Sequence, residues 1–175
     1  MMANLSVVEP ATLDVAAFKT LMADMPQAVT IVTAMAKDGT PVGATLSAVM
    51  SLSMNPPMMV AAFDRGSDTL AALSKGRAFL IHILGEGQEK LAWRFAGKGG
   101  AAKFDETGWS AAPCGSPKLP DAAGVIACRV VHLHEGGDHV LVTGEISGIE
   151  HPEEAEPLVY HRRELRPARN LRAAA

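Results

Sequence analysis

Aromatic side chains are scarce in this sequence. Two Trp, one Tyr and five Phe make up 5% of 175 residues, so almost every one can be given an individual role. Cysteine is scarcer still. Cys114 and Cys128 stand at no metal-ligand spacing and are too few for a disulfide framework, so both read as reduced thiols, with Cys128 in a buried strand. Neither sign of charge dominates: 16 Lys and Arg against 19 Asp and Glu leave a formal net charge of −3. That excludes a protein held on nucleic acid or anionic lipid by bulk charge. No apolar run is long enough to span a bilayer, and the N-terminus lacks a basic segment followed by a hydrophobic core. The expectation is a cytoplasmic protein with neither a nucleic-acid nor a membrane partner. There is no internal repeat, and 48% hydrophobic residues suffice for one well-buried domain.

What the sequence does have is an unusual stretch from Gly43 to Val60. Thr45, Ser47, Ser51 and Ser53 are small hydroxyl residues at odd positions, with Leu46, Ala48, Val49, Met50 and Leu52 among them. A half-buried strand alternates polar and apolar residues but rarely fills its polar side with four small hydroxyls. Such a row offers hydroxyl and backbone N–H donors to a ligand that comes close. It is equally compatible with a β-arch whose outer face is polar. Asn55-Pro56-Pro57 stops the ladder, because proline supplies no N–H and keeps its predecessor extended. Met58 to Phe63 reads as a second, fully apolar strand.

Around this stretch the elements follow from caps, turns and periodicity. Asp14 can cap a helix with Val15, Phe18, Leu21, Met22 and Met25 on one stripe, ended by Pro26. Ala28 to Met35 alternates as a strand, and Lys37-Asp38-Gly39-Thr40 is a hairpin turn. Ser67 is an N-cap for a short helix through Lys75, with Gly76 as its stop. Ala78 to Leu84 is a strand interrupted by His82, and Gln88 to Ala96 a helix with Leu91, Ala92 and Phe95 facing inward. Gly97 to Ala102 matches G-x-G-x-x-A but follows a helix instead of a strand, so it reads as a mobile basic loop, not a dinucleotide fingerprint. Residues 110–122 read as a surface connection. Val125 to His134 and His139 to Ile149 form a long hairpin through Glu135-Gly136-Gly137-Asp138, and Pro157 to Arg162 closes the domain.

Strands outnumber helices and come as hairpins rather than βαβ units. The expected fold is mainly β with peripheral helices, a small antiparallel barrel. The organisation is a loose tail over residues 1–11, one domain over 12–166 and a polar tail over 167–175. A half-open barrel this small would gain from burying its Met58 to Phe63 side against a twin, so a homodimer is expected.

These residues, taken in order, resemble the flavin reductase-like family. The resemblance rests on Phe18, Pro26, Val29-Thr30, Asp38-Gly39, the Gly43 to Ser53 run, Pro56-Pro57 and Ser67-Asp68-Thr69. It continues through Gln88, Leu91-Ala92, Phe95-Ala96, Gly137-Asp138-His139, Gly144-Glu145-Ile146 and Leu158-Val159-Tyr160-His161-Arg162. It spans about Phe18 to Arg166, and the ordered set is more specific than any single motif. It implies an antiparallel split β-barrel that binds FMN. The implied activity is reduction of FMN or FAD by NADH or NADPH, with the reduced flavin passed to a partner flavin-dependent monooxygenase.

The same resemblance implies a site. Thr30, Thr45, Leu46, Ser47, Ala48, Val49, Ser51 and Leu52 would line the flavin, with His82 and Phe95 beside it. Asp64, Ser67, Thr69, Lys98 and Lys103 would lie at its phosphate end. Asp138, Tyr160, His161 and Arg162 would stand on the nicotinamide side, and His139 is the candidate catalytic residue. Ser47, Ala48 and Val49 depart from the Asn or Ser with Phe of many relatives, as His82 does from a frequent Asn. His132, His134, His139 and His151 suggest a metal site only loosely; no acidic or cysteine partner stands at fixed spacing, and none is assigned. Trp93 and Trp109 are read as packing residues. Two rival readings remain: an FMN-binding electron-carrier module without turnover, and a split-barrel oxidase or deazaflavin-dependent reductase.

Overall fold

The computed structural model describes residues 13–169. The tail expected at 1–11 and residues 170–175 of the C-terminal tail lie outside the described residues. The first helix, α1 (Val15–Asp24), starts where the Asp14 carboxylate accepts from the N–H groups of Ala16 at 2.8 Å and Ala17 at 3.2 Å. Its apolar stripe is present but stays largely uncovered among the described residues: Val15, Phe18 and Leu21 are exposed, and no residue of the helix is fully buried.

The strand expected over 28–35 divides at Val29 into β1 (Gln27–Ala28) and β2 (Thr30–Met35). The division comes from pairing. β2 lies between two neighbours of the main sheet, whereas β1 pairs with a strand near the C-terminus. The Asp38-Gly39 turn carries β2 into β3 (Pro41–Leu46), with Ala36 N–H bonded to Thr40 O at 2.9 Å. Ser47 and Ala48 then form a corner leading to β4 (Val49–Met54) and β5 (Pro57–Asp64), which pair across the Asn55-Pro56 turn. The short helix α2 (Asp68–Ala72) begins at Ser67, whose hydroxyl accepts the Leu70 N–H at 3.3 Å, and ends before the expected Lys75. β6 (Ala78–Ile83), α3 (Glu89–Ala96), β7 (Ser110–Ala111) and β8 (Pro117–Lys118) follow. The long hairpin is β9 (Gly124–Gly136) with β10 (His139–Glu150), turning on only Gly137 and Asp138. The expected domain closes on one more strand, whose last residue alone falls in the expected tail: β12 (Glu164–Pro167) pairs with β11 (Leu158–His161), which pairs with β1.

Seven strands make one antiparallel sheet in the order β3-β2-β6-β9-β10-β5-β4. Its two edge strands are consecutive in the chain and separated by only two residues. The sheet must therefore curl until its edges approach at Ser47-Ala48, and from there they diverge. That geometry is a split barrel, and it corrects the expectation of a single hydroxyl row. Thr45 lies on one edge, while Ser51 and Ser53 lie on the other, with Leu52 as an extra residue between them.

The barrel interior is apolar, built on Val32, Phe63, Phe79, Ile81 and Val142. A second cluster joins Ile31, Leu84, Phe95, Phe104, Leu119 and Leu158 under α3. Cys128 is buried in β9 as expected, and burial pushes its thiol up to about 12. Three expectations change here. Residues 110–122 are partly a plug, since Ser116 and Leu119 are buried and Thr33 donates to Pro117 O at 2.5 Å. The loop expected at 97–102 runs into a 3₁₀ turn, Gly100–Phe104, anchored by Phe104 set edge-on to Phe95 at 4.9 Å. Such a ring pair is worth about 0.5–1.5 kcal/mol beyond the area it buries. Finally, Phe63 and Ala61 of β5 are buried, and in this hairpin it is Met50, Leu52 and Met54 of β4 that are exposed.

Candidate active site

The divergence of β3 from β4 opens a cleft of about 230 Å³. One wall is β3, from Val42 to Leu46. The facing walls are the Asp64 to Thr69 segment and the end of α3 with the following loop, including Phe95, Lys98 and Lys103. Gly43 is required at the back of the cleft, because a Cβ there would lie 2.7 Å from the Phe95 ring. Asp64 shapes the rim by accepting the Gly66 N–H at 2.7 Å. Lys103 reaches inward, its ammonium donating to Gly43 O at 3.2 Å and Phe95 O at 3.4 Å. Burial lowers its proton affinity from the usual value, opposed by the negative charge of Asp68. Among the described residues, the N–H groups of Asp68 and Thr69 meet no acceptor. The cleft thus gathers two lysines, free backbone donors and small side chains, with Asp64 and Asp68 as partial counter-charge.

A second cavity of about 150 Å³ shares Thr45, Leu46 and Ala96 with the first and is more apolar. Ala28, Val29, Ala92, Trp93, Tyr160 and Leu165 line it, and Ser47 stands at its edge. Thr45 forms the partition. Its hydroxyl donates to Ala92 O at 2.6 Å, which ties β3 to α3 and leaves no proton for a ligand. Trp93 is 56% exposed and is therefore not the packing residue expected, whereas Trp109 packs edge-on against Phe104 at 6.0 Å. On a helical wheel Trp93 falls off the Leu91, Ala92 and Phe95 stripe, and that offset is the signal by which it could have been picked out.

Several expected positions are not brought into either cavity. Thr30 is buried and donates to Leu46 O at 2.7 Å, holding the corner from behind. His82 is fully buried: Nδ1 meets Ile31 O at 3.1 Å, and Nε2 accepts the Leu119 N–H at 3.1 Å. Both nitrogens are spent, so His82 joins β6 to β2 and to the plug. Ala48, Val49, Ser51 and Leu52 continue from the corner along β4, outside both linings.

Residues 22–169 match the family described as flavin reductase like domain. This chain belongs to that family. Among curated relatives, the reductase component of the 4-nitrophenol 4-monooxygenase/4-nitrocatechol 2-monooxygenase of Rhodococcus opacus is 43% identical over 141 residues, 81% of this chain and 74% of that protein. The reductase component of 4-hydroxyphenylacetate 3-monooxygenase from Thermus thermophilus is 35% identical, covering 86% and 94%. A solved structure of the NADH:FAD oxidoreductase SgcE6 of Streptomyces globisporus C-1027, in complex with NAD and FAD fragments, has a TM-score of 0.81 at 26% identity. The match covers 92% of this chain and 95% of that one.

Within this flavin reductase-like chain the expected nicotinamide residues fall into two groups. His139 opens β10 directly opposite Asp64 of β5, so it adjoins the rim of the polar cleft. Arg65 fastens that turn: its N–H donates to Asp138 O at 3.2 Å, its Nε to Gly137 O at 3.0 Å, and its guanidinium pairs with Glu135. Arg65 had no expected role, and only the tertiary contact reveals it. His139 Nδ1 lies 2.7 Å from Asp138 Oδ1, which holds the aspartate below the usual carboxylate range. Tyr160 instead lines the apolar cavity, and His161 ends β11 outside both linings. Arg162 turns away in a left-handed conformation at φ 52° to pair with Asp24 at 2.8 Å, so it is not positioned to meet a phosphate.

Proposed function

We propose that this chain is an NAD(P)H-dependent flavin reductase that passes reduced FMN or FAD to a partner flavin-dependent monooxygenase. The carrying observation is the paired cavity at the split of the sheet, polar at one end and apolar with two aromatic side chains at the other. A flavin has the same polarity, with a phosphate at one end and a flat ring at the other. Bound there, it would supply the two-electron redox chemistry.

The chain's own contribution is alignment. Lys98, Lys103, Ser67, Thr69 and the N–H groups of Asp68 and Thr69, which line the polar cleft, would hold the phosphate. Leu46 and Ser47 would support the ring edge through the corner, which Thr30 braces from behind while Thr45 ties β3 to α3. Trp93 and Tyr160 wall the apolar end. His139 faces the arriving nicotinamide nucleotide across the Asp64 rim. The chain works as a homodimer in which a second copy covers Met50, Leu52 and Met54, an exposed apolar row on an edge strand.

The test is to mix purified protein with NADH or NADPH and added FMN or FAD while following nicotinamide absorbance, then to pass a flavin-loaded sample through gel filtration. Flavin-dependent loss of nicotinamide absorbance and ready loss of flavin on the column are expected. A chain that retains flavin and consumes no nicotinamide is an electron carrier, and that result overturns the proposal.

A further inference from the structure

From a third cavity, which shares no lining residue with the two at the split, we infer a binding site for a phosphate-class oxyanion. The cavity is about 460 Å³ and sits where the end of β2, the start of β6 and the plug converge. Lys37, Arg77 and Arg129 line it, and no acidic residue does. This local excess of three positive charges is set in a chain whose net charge is −3.

The guanidinium groups are held rather than loose. Arg77 Nη2 donates to Met35 O at 2.5 Å, and Arg129 Nη1 donates to Gly76 O at 2.7 Å. A guanidinium carries five N–H donors in a planar fork, so each keeps four for a ligand. Among the described residues, none of the three cations makes an ion pair. Two carboxylates stand near in sequence or register. Asp38 is engaged with the Thr40 N–H at 3.0 Å, and Glu145 faces Arg129 across the ladder without pairing to it.

The backbone between the cations leaves open space, although the Gly76 and Gly115 N–H groups are bonded to Val130 O and Ala112 O. Gly76 and Gly115 line the same cavity at φ 83° and 82°, and a Cβ on either would meet nothing within 4 Å. A ligand can therefore reach the main chain between the cations. Like charges gathered round one cavity repel each other, and an anion with several oxygens removes that repulsion while filling the unused donors. A tetrahedral phosphoryl group fits this chemistry best, with its oxygens shared between two forks and an ammonium. The site is independent of the proposed flavin chemistry, and either can fail alone.

The experiment titrates ¹⁵N-labelled, flavin-saturated protein with inorganic phosphate, with adenosine 5′-monophosphate and with chloride at matched ionic strength, reading the Gly76 and Gly115 amide shifts. Saturable shifts with phosphate or the nucleotide, and none with chloride, are expected. A lower dissociation constant for the nucleotide identifies a nucleotide phosphate as the source, and equal constants identify the free ion. Arg129→Gln and Lys37→Gln, both peripheral to the core, should each weaken binding about tenfold, as loss of one charge-assisted contact implies. Lys98→Ala, in the polar cleft at the split, should leave it unchanged, and flavin reduction should be unaltered in the Arg129 and Lys37 variants. Equal shifts with chloride, or identical titrations for wild type and Arg129→Gln, would each overturn the assignment.

Discussion

Acid should weaken this protein through His82, and the size of the effect follows from its surroundings. The imidazole is fully buried, and desolvation lowers its pKa to about 4, opposed by the hydrogen bond to Ile31 O. Lys118 lowers the value further and Glu150 raises it, both by smaller amounts. The neutral ring donates from Nδ1 to Ile31 O and accepts from Leu119 N–H at Nε2, so a proton on Nε2 would displace the Leu119 contact. An unfolded histidine protonates near 6.5. Between the two values the unfolded chain binds the extra proton, so stability rises with pH across this window and is lost on acidification from about pH 6.5 toward pH 4. At about 1.4 kcal/mol per unit, the full loss is ~3 kcal/mol. Urea unfolding followed by tryptophan fluorescence at pH 7.5, 6.0 and 5.0 measures it, with His82→Gln as the reference that cannot titrate. The variant should lose about 1–3 kcal/mol at pH 7.5, because the Leu119 N–H loses its well-placed acceptor. It should then fall less steeply than wild type below pH 6.5. Parallel loss of stability in the two proteins would refute the reasoning, since the slope would then belong to surface carboxylates.

Two further outcomes follow. His139→Ala should leave the flavin dissociation constant near wild type and lower kcat/KM for the reduced nicotinamide about tenfold to a hundredfold, the value of one positioning contact. Anaerobic stopped flow would read it as slower flavin bleaching, and an unchanged rate would make His139 an ordinary residue at the end of a hairpin. Light scattering at micromolar concentration should give twice the 18.4 kDa chain mass, falling to the monomer in Met50→Lys with Leu52→Lys; a monomeric wild type would exclude the dimer.

Local chemistry is legible in the sequence itself. The Asp14 and Ser67 caps, the Asp38-Gly39 turn, the inward stripe of α3 and the pairing of β9 with β10 all depend on residues a few positions apart or on a single short turn. The ordered resemblance supplied the family, because it is spread over nearly the whole chain. The site was legible in part. Asp64, Ser67, Thr69, Lys98 and Lys103 stand round one cleft with Thr45, Leu46 and Phe95, although they come from β3, β5, α2, α3, the 3₁₀ turn and the loops beside them.

What only the tertiary structure decided lies in contacts between distant residues. Nothing in the Gly43 to Val60 periodicity says that Thr45 and Ser51 belong to opposite edges of one sheet; the curl that brings those edges together is a property of all seven strands. His82 looks from its neighbours like any histidine in a strand, and it becomes structural because Leu119, 37 positions away, donates to it. Arg162 carries the right charge for a phosphate, but its turn and Asp24, 138 positions away, aim it elsewhere. Sequence periodicity sets which face of an element is apolar, whereas the partner of a polar group is set by chain closure over long separations, where charge and hydrogen-bonding capacity select among many candidates.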